Sequence, residues 1–268
     1  MQTITSRDNS LLRQARVVRE GKDQDLIFIE GLRLSEEALR SGLTIASVIV
    51  SDELAQKDKA RDLISQLEAT SVRAAVVSEK LLESISYTTT PQGIVVLANR
   101  PNSGESHLHE SMQHPALVVV MHRINNPVNV GAILRTAEAA GATAAIATRE
   151  TSDPFSPKSL RGAMGSAFRL PIWYGPTYEA AIEWCKVRRV LTVCADVHAN
   201  TRHDEVDWKP DAALILGPES HGLSPHEISL ADRSIRIPMK GAAESLNVAV
   251  AAGVLLYEAA RQREKQAT

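Results

Sequence analysis

Aromatic residues make up only 4% of this 268-residue chain. A nucleic-acid surface built mainly on stacked rings is therefore not expected. Cysteine is scarcer still, with Cys185 and Cys194 alone. Two cysteines outside any C-x-x-C cannot form a disulfide framework, so free thiols and a cytoplasmic setting are expected. Charge of one sign is also lacking: 30 Lys and Arg face 32 Asp and Glu, a formal net charge of -2. That excludes a grossly basic protein and permits a local basic patch. No apolar run reaches the ~20 residues of a membrane span. The longest, 246–257, reads as a buried helix. Arg7, Arg13, Arg16, Arg19 and Lys22 are followed by no apolar stretch, so no signal peptide is expected.

Familiar chemical motifs are missing too. There is no G-x-G-x-x-G after a strand, no G-x-x-x-x-G-K-[ST], no H-E-x-x-H and no G-x-S-x-G. These absences weigh against a dinucleotide-binding oxidoreductase, a P-loop NTPase, a zincin and an α/β-hydrolase. No cysteine or carboxylate stands at a ligand spacing beside His107, His109 and His114, so no metal site is expected.

What is present is an ordinary globular composition, 44% hydrophobic and 23% charged. At roughly 150 residues per domain, the length favours two domains. Strand-like stretches at 26–29, 44–50, 74–77 and 94–98 alternate with helical ones at 32–40 and 56–69, which predicts a small α/β domain over 1–100. Polar and helix-breaking residues over 101–115 read as a linker. From 116 to 268 the strands at 117–121, 190–195 and 212–216 are almost wholly apolar. Such runs suit a sheet covered on both faces, with helices near 131–140, 178–187 and 245–263.

Three segments of this second part combine a strand, a polar loop and a helix. The first runs from Asn125 to Ala137, N-N-P-V-N-V-G-A-I-L-R-T-A, with Asn129 where a helix cap belongs and Arg135 beyond it. Alone it reads as a capped helix with one exposed arginine. The second, L-G-P-E-S-H-G-L-S, ends a strand in a loop bracketed by Gly217 and Gly222 and holding Glu219, with Ser224 as the next N-cap. Glycine loops at strand ends are where open α/β sheets bind small molecules. The third, I-P-M-K-G-A-A-E-S-L-N-V-A-V-A, starts a helix near Ser245 and sets polar Asn247 in its first turn.

Together, and in this order, the three segments resemble the motifs of the SpoU/TrmH family of RNA 2'-O-ribose methyltransferases. The resemblance spans roughly residues 116–262. Phe28-Ile29-Glu30-Gly31 and Thr90-Pro91-Gln92-Gly93 also resemble that family's ribosomal-protein-like substrate-binding domain. The resemblance implies an α/β catalytic domain with a C-terminal trefoil knot, a homodimer through that domain, and S-adenosylmethionine as methyl donor. By similarity the donor is held by Ala195, Gly217, Gly222, Ile237, Pro238 and Leu246. The implied catalytic set is Arg135 with Asn129, Glu219, Ser245 and Asn247. A guanidinium does not deprotonate, so Arg135 is expected to stabilise the developing alkoxide and clamp a phosphate rather than act as base. No metal is implied.

RNA contacts are expected from Arg7, Arg13, Arg16 and Arg19, and from Lys158, Arg161 and Arg169. The small-residue stretch 157–166 reads as an RNA-facing loop. The separate N-terminal domain favours 23S rRNA over tRNA by analogy of architecture. A tRNA enzyme, a resistance enzyme, a base methyltransferase of the same superfamily and a non-catalytic RNA binder are the alternatives.

Overall fold

Runs of buried apolar residues build two sheets in the computed structural model, which describes residues 1–70 and 73–264. They belong to two compact units, Met1–Pro101 with Phe155–Phe168, and Asn102–Pro154 with Arg169–Thr268.

Unit 1 is built from β1 (Gln2–Ile4), α1 (Ser10–Arg19), β2 (Leu26–Glu30), α2 (Leu32–Arg40), β3 (Ile45–Ser51), α3 (Asp52–Ala55), α4 (Asp58–Ala69), β4 (Arg73–Val77), α5 (Glu79–Ile85) and β5 (Ile94–Asn99). Its sheet runs β1-β4-β3-β5-β2, with β5 antiparallel to both neighbours. Leu12, Phe28, Ile49, Leu82, Val95 and Leu97 fill its core. Glu30 is buried, and its carboxylate accepts from the backbone N–H groups of Tyr87 (2.8 Å) and Thr88 (3.2 Å) and from the Thr88 hydroxyl (2.6 Å). Gly31 sits at φ +100°, and a Cβ there would lie 2.7 Å from Gln92 Oε1. The two short N-terminal motifs therefore meet at one end of this sheet.

Unit 2 adds α6 (Glu105–Ser111), β6 (Leu117–Met121), α7 (Pro127–Ala139) and β7 (Ala144–Ala147). The chain then contributes α8 (Pro157–Ala163) and the start of α9 (Ser166–Arg169) to unit 1. It continues with β8 (Ile172–Tyr174), α10 (Tyr178–Val187), β9 (Leu191–Ala195), β10 (Thr201–Arg202), β11 (Ala212–Leu216), α11 (Pro225–Leu230), β12 (Arg233–Arg236) and α12 (Val248–Glu264). The seven strands are all parallel, in the order β10-β12-β9-β11-β6-β7-β8. The continuous apolar runs follow from this, since β6 and β11 are buried along their whole length.

Four differences from the sequence expectation have physical causes. The stretch 101–115, read as a linker, carries α6, whose Leu108 is fully buried in the unit 2 core. The stretch 157–166, read as a loop, is helical over Pro157–Ala163: Ser156 caps α8 and Pro157 opens it. The first-motif helix starts at Pro127 because Asn126, not Asn129, is its cap, accepting from the Val128 N–H. The last helix begins at Val248 rather than near Ser245; Asn247 Oδ1 accepts from the Ala249 N–H (2.9 Å) and does the capping.

Candidate functional site

The parallel pairing brings the carboxyl ends of β12, β9, β11 and β6 into one row. Ile235 is level with Ala195, and Leu216 with Met121. The three sequence segments leave β6, β11 and β12, so their loops share one edge of the sheet. Chain direction across the sheet also changes here, with β7 and β8 laid to one side of β6 and β9 to the other. Such switch points open a crevice at strand ends.

Three of the five expected catalytic side chains are joined there. Asn129, 7% exposed in the first turn of α7, donates from Nδ2 to Glu219 Oε1 (2.7 Å). Its Oδ1 accepts from Asn247 Nδ2 (3.4 Å). The Asn129 amide thus connects all three loops. Arg135 is exposed further along α7 and makes no side-chain hydrogen bond among the described residues. Ser245 is exposed in the 237–247 loop, and the structure does not join it to the other three.

The expected cofactor residues flank this chain. At Gly217 an added Cβ would meet Leu223 Cγ at 2.7 Å and the Leu223 backbone nitrogen at 3.0 Å, so only glycine fits. Gly222 adopts φ +66°, and its N–H closes the turn on the Pro218 carbonyl (3.0 Å). Ala195 ends the central strand of the trio, with Gly217 on one side and half-buried Ile237 and Pro238 on the other. Residues 237–246 make no backbone–backbone hydrogen bond among the described residues. Val197, Met239 and Leu246 expose apolar side chains at the same strand ends. Unused backbone donors and acceptors beside exposed apolar groups fit an adenosine-bearing ligand held by main chain.

Other polar residues stand behind these loops. His122 and Glu227 are buried, and Arg123 lies beside both. Burial lowers the His122 pKa, a trend the adjacent Glu227 carboxylate only partly offsets. Only the S-x-x-E spacing of Ser224 and Glu227 hinted at them in the sequence. Burial pushes the thiols up, Cys185 to about 12 and Cys194 to about 11, so neither is a nucleophile at neutral pH.

The expected RNA-contacting residues divide. Arg7, Arg13, Lys158 and Arg161 are exposed. Arg19 is spent on the Ser84 and Ser86 carbonyls, Arg16 on the Arg7 carbonyl, and Arg169 on Glu138. No group of three or more His, Cys, Asp or Glu among the described residues has a metal-binding arrangement. No helix among them is long and apolar enough to cross a membrane.

Known protein families match both parts of the chain. Residues 11–96 match the MRM3-like substrate binding domain. The chain is 32% identical to an uncharacterized tRNA/rRNA methyltransferase of Synechocystis, over 97% of this chain and 94% of the relative. It is 30% identical to the 23S rRNA (guanosine(2553)-2'-O)-methyltransferase RlmP of Bacillus subtilis, over 96% of this chain and 98% of the relative. Its fold matches the AdoMet-bound rRNA methyltransferase of Sinorhizobium meliloti with a TM-score of 0.85 and 30% identity, covering 97% of each chain. With residues 116–257 matching the family's own domain, the chain belongs to the SpoU rRNA Methylase family.

Proposed function

We propose that this chain transfers a methyl group from S-adenosylmethionine to a ribose 2'-OH of RNA, with 23S rRNA as the substrate. The observation that carries this is the Asn129 amide, which joins Glu219 and Asn247 beside a main-chain cradle at the strand ends. The bound donor supplies an electrophilic methyl on a sulfonium. A ribose hydroxyl is a poor nucleophile until its proton leaves, so the chain's task is orientation and charge stabilisation. Arg135 offers a fixed fork of donors to the developing alkoxide and the adjacent phosphate. Water or a phosphate oxygen takes the proton. Asn129, Glu219, Ser245 and Asn247 orient the ribose and the loops. Ala195, Gly217, Gly222, Ile237, Pro238 and Leu246 hold the donor.

Residues 1–100 bind the RNA, with Arg7 and Arg13, helped by Lys158 and Arg161 on α8, as phosphate contacts. The catalytic domain is a knotted homodimer. Insertion of β11 between β6 and β9, both earlier in the chain, supports the knot. Val250, Val254 and Tyr257 expose one apolar face of α12 at i, i+4, i+7 spacing, which supports the dimer. The free thiols suit the cytoplasm.

The test is methyl transfer from labelled S-adenosylmethionine into unmodified rRNA and tRNA, followed by digestion to nucleosides. Label in a 2'-O-methylnucleoside from rRNA is the expected result. Label on a base, or in tRNA alone, would overturn the reaction or the substrate.

A further inference from the structure

The dipeptide His122–Arg123, just past β6, holds both ends of the loop between β11 and α11. At the start of that loop the His122 N–H donates to the Leu216 carbonyl (2.9 Å). At its end Glu227 Oε2 accepts from the Ser224 N–H (2.7 Å), while Glu227 Oε1 is in close contact with the Arg123 guanidinium. The Ser224 hydroxyl accepts from the Glu227 N–H (3.3 Å) and completes a capping box. The 217–224 loop is thus pinned at two points to one short piece of the first motif's approach.

The imidazole fills the space between those points. Arg123 Nε, which can only donate, lies 2.8 Å from His122 Nε2. Nε2 therefore accepts, and the ring proton resides on Nδ1, donated to Thr148 Oγ1 (3.1 Å). Glu227 Oε1, 3.0 Å from the same Nε2, is satisfied by Arg123. The Tyr178 hydroxyl donates to the Glu227 carbonyl (3.0 Å), and the Tyr178 ring centre lies 4.6 Å from that of His122. His122 is 6% exposed. Arg123 stands at φ +53°, a left-handed conformation that a non-glycine residue keeps only where its surroundings enforce it. Between its two pinned ends the loop carries Gly217 and Glu219, and Glu219 meets Asn129.

We propose that Glu227, acting with His122 and Arg123, is the positioning device of the cofactor loop, setting the shape of 217–224 for S-adenosylmethionine and holding Glu219 against Asn129. This rests on the methyltransferase reading above. None of the three touches the reacting atoms; they act through the loop.

The test measures S-adenosylmethionine affinity by calorimetry and thermal midpoint on the same preparations. Glu227→Gln keeps the size of the side chain and loses its charge; its Kd is expected to rise at least tenfold. Arg123→Gly removes the guanidinium but relieves the left-handed backbone. Its midpoint is expected at or above that of the parent while its Kd again rises at least tenfold. A merely structural role would not separate those two readouts. Asp232→Asn is the control. Asp232 accepts from the Thr192 N–H (2.8 Å) and hydroxyl (2.6 Å) at the amino end of β9, the opposite edge of the sheet. Its affinity is expected within twofold of the parent. If Glu227→Gln does not fold, Arg123→Gly decides. Affinity within twofold of the parent in either loop variant overturns the proposal, as does an equal loss in Asp232→Asn. A parent chain that binds no S-adenosylmethionine overturns the methyltransferase reading itself, and the proposal with it.

Discussion

Arg135 is the single side chain on which the proposed chemistry turns. Its charge is available to an anion, since no described residue bonds to it. Arg135→Lys keeps the charge and loses the fork. Methyl transfer is expected to fall by about 10²-fold or more, the scale of losing a preorganised donor. The S-adenosylmethionine Kd should stay within about twofold, because Arg135 is not among the cradle residues; an equal loss of both would assign it to the donor pocket instead. Gly217 tests the cradle. Gly217→Ala drives a methyl group into Leu223 Cγ at 2.7 Å, an overpacking expected to cost about 1–3 kcal/mol and to weaken donor binding. Denaturant unfolding and calorimetry on one preparation measure the two effects. His122 carries a pH dependence. Burial keeps its folded pKa below 6.5, although the adjacent Glu227 carboxylate pulls the other way. The unfolded chain then binds more protons, so stability is lost as pH falls through about 6.5 towards the lowered folded value. Glu227 acts further down. Burial pushes its carboxyl up, but hydrogen bonds from Ser224, the neighbouring His122 ring and the Arg123 charge hold it below 4.5, so its contribution is lost only below that point. Urea midpoints at pH 7.5 and 5.5 should differ less in His122→Gln than in the parent. Equal differences would assign the dependence to another group.

At the scale of elements, α12 shows how a residue can serve structure and site together. Asn247 caps the helix through Oδ1 and reaches Asn129 through Nδ2. Asn247→Ala loses both, at a capping cost of about 1 kcal/mol. Asn247→Asp restores a capping oxygen but has no amide donor. Its thermal midpoint should return while methyl transfer stays depressed; recovery of both would reduce Asn247 to a cap. Element identity was largely legible. Leu117–Met121 and Ala212–Leu216 are strands buried on both faces, and their unbroken apolar sequence says so. Leu32–Arg40 shows plain helical spacing. Ala144–Ala147 is not legible, because A-A-I-A suits a buried helix as well as a strand, and only pairing with β6 and β8 decides. Spacing alone does not choose the cap of α7, because Asn126 and Asn129 are both good caps, three residues apart. Pro127 settles it, since proline belongs at the first helical position.

At the scale of the whole molecule, α12 buries Ala252, Leu255, Leu256 and Ala259 on one side and still exposes Val250 (54%) and Tyr257 (55%) on another. A charge on that second face, as in Val254→Glu, is expected to convert a micromolar dimer to monomer in light scattering without changing the thermal unfolding of the domain core. A parent chain already monomeric there would remove the dimer from the reading. The amino-acid sequence by itself determined the α/β class, the apolar strands and the order of the three loop segments, because burial and helical spacing are local patterns. It also carried the family, through Asn129, Glu219 and Asn247, of which only Asn247 has a local folding role, as the cap of α12. Only the tertiary structure decided that these three meet. Asn129 and Glu219 lie 90 residues apart, and their bond exists because β11 inserts beside β6. The same insertion sets Glu227 against His122 and Arg123, a contact 105 residues long that no periodicity encodes. Strand order is a property of the whole sheet, chosen by the summed burial of all its faces.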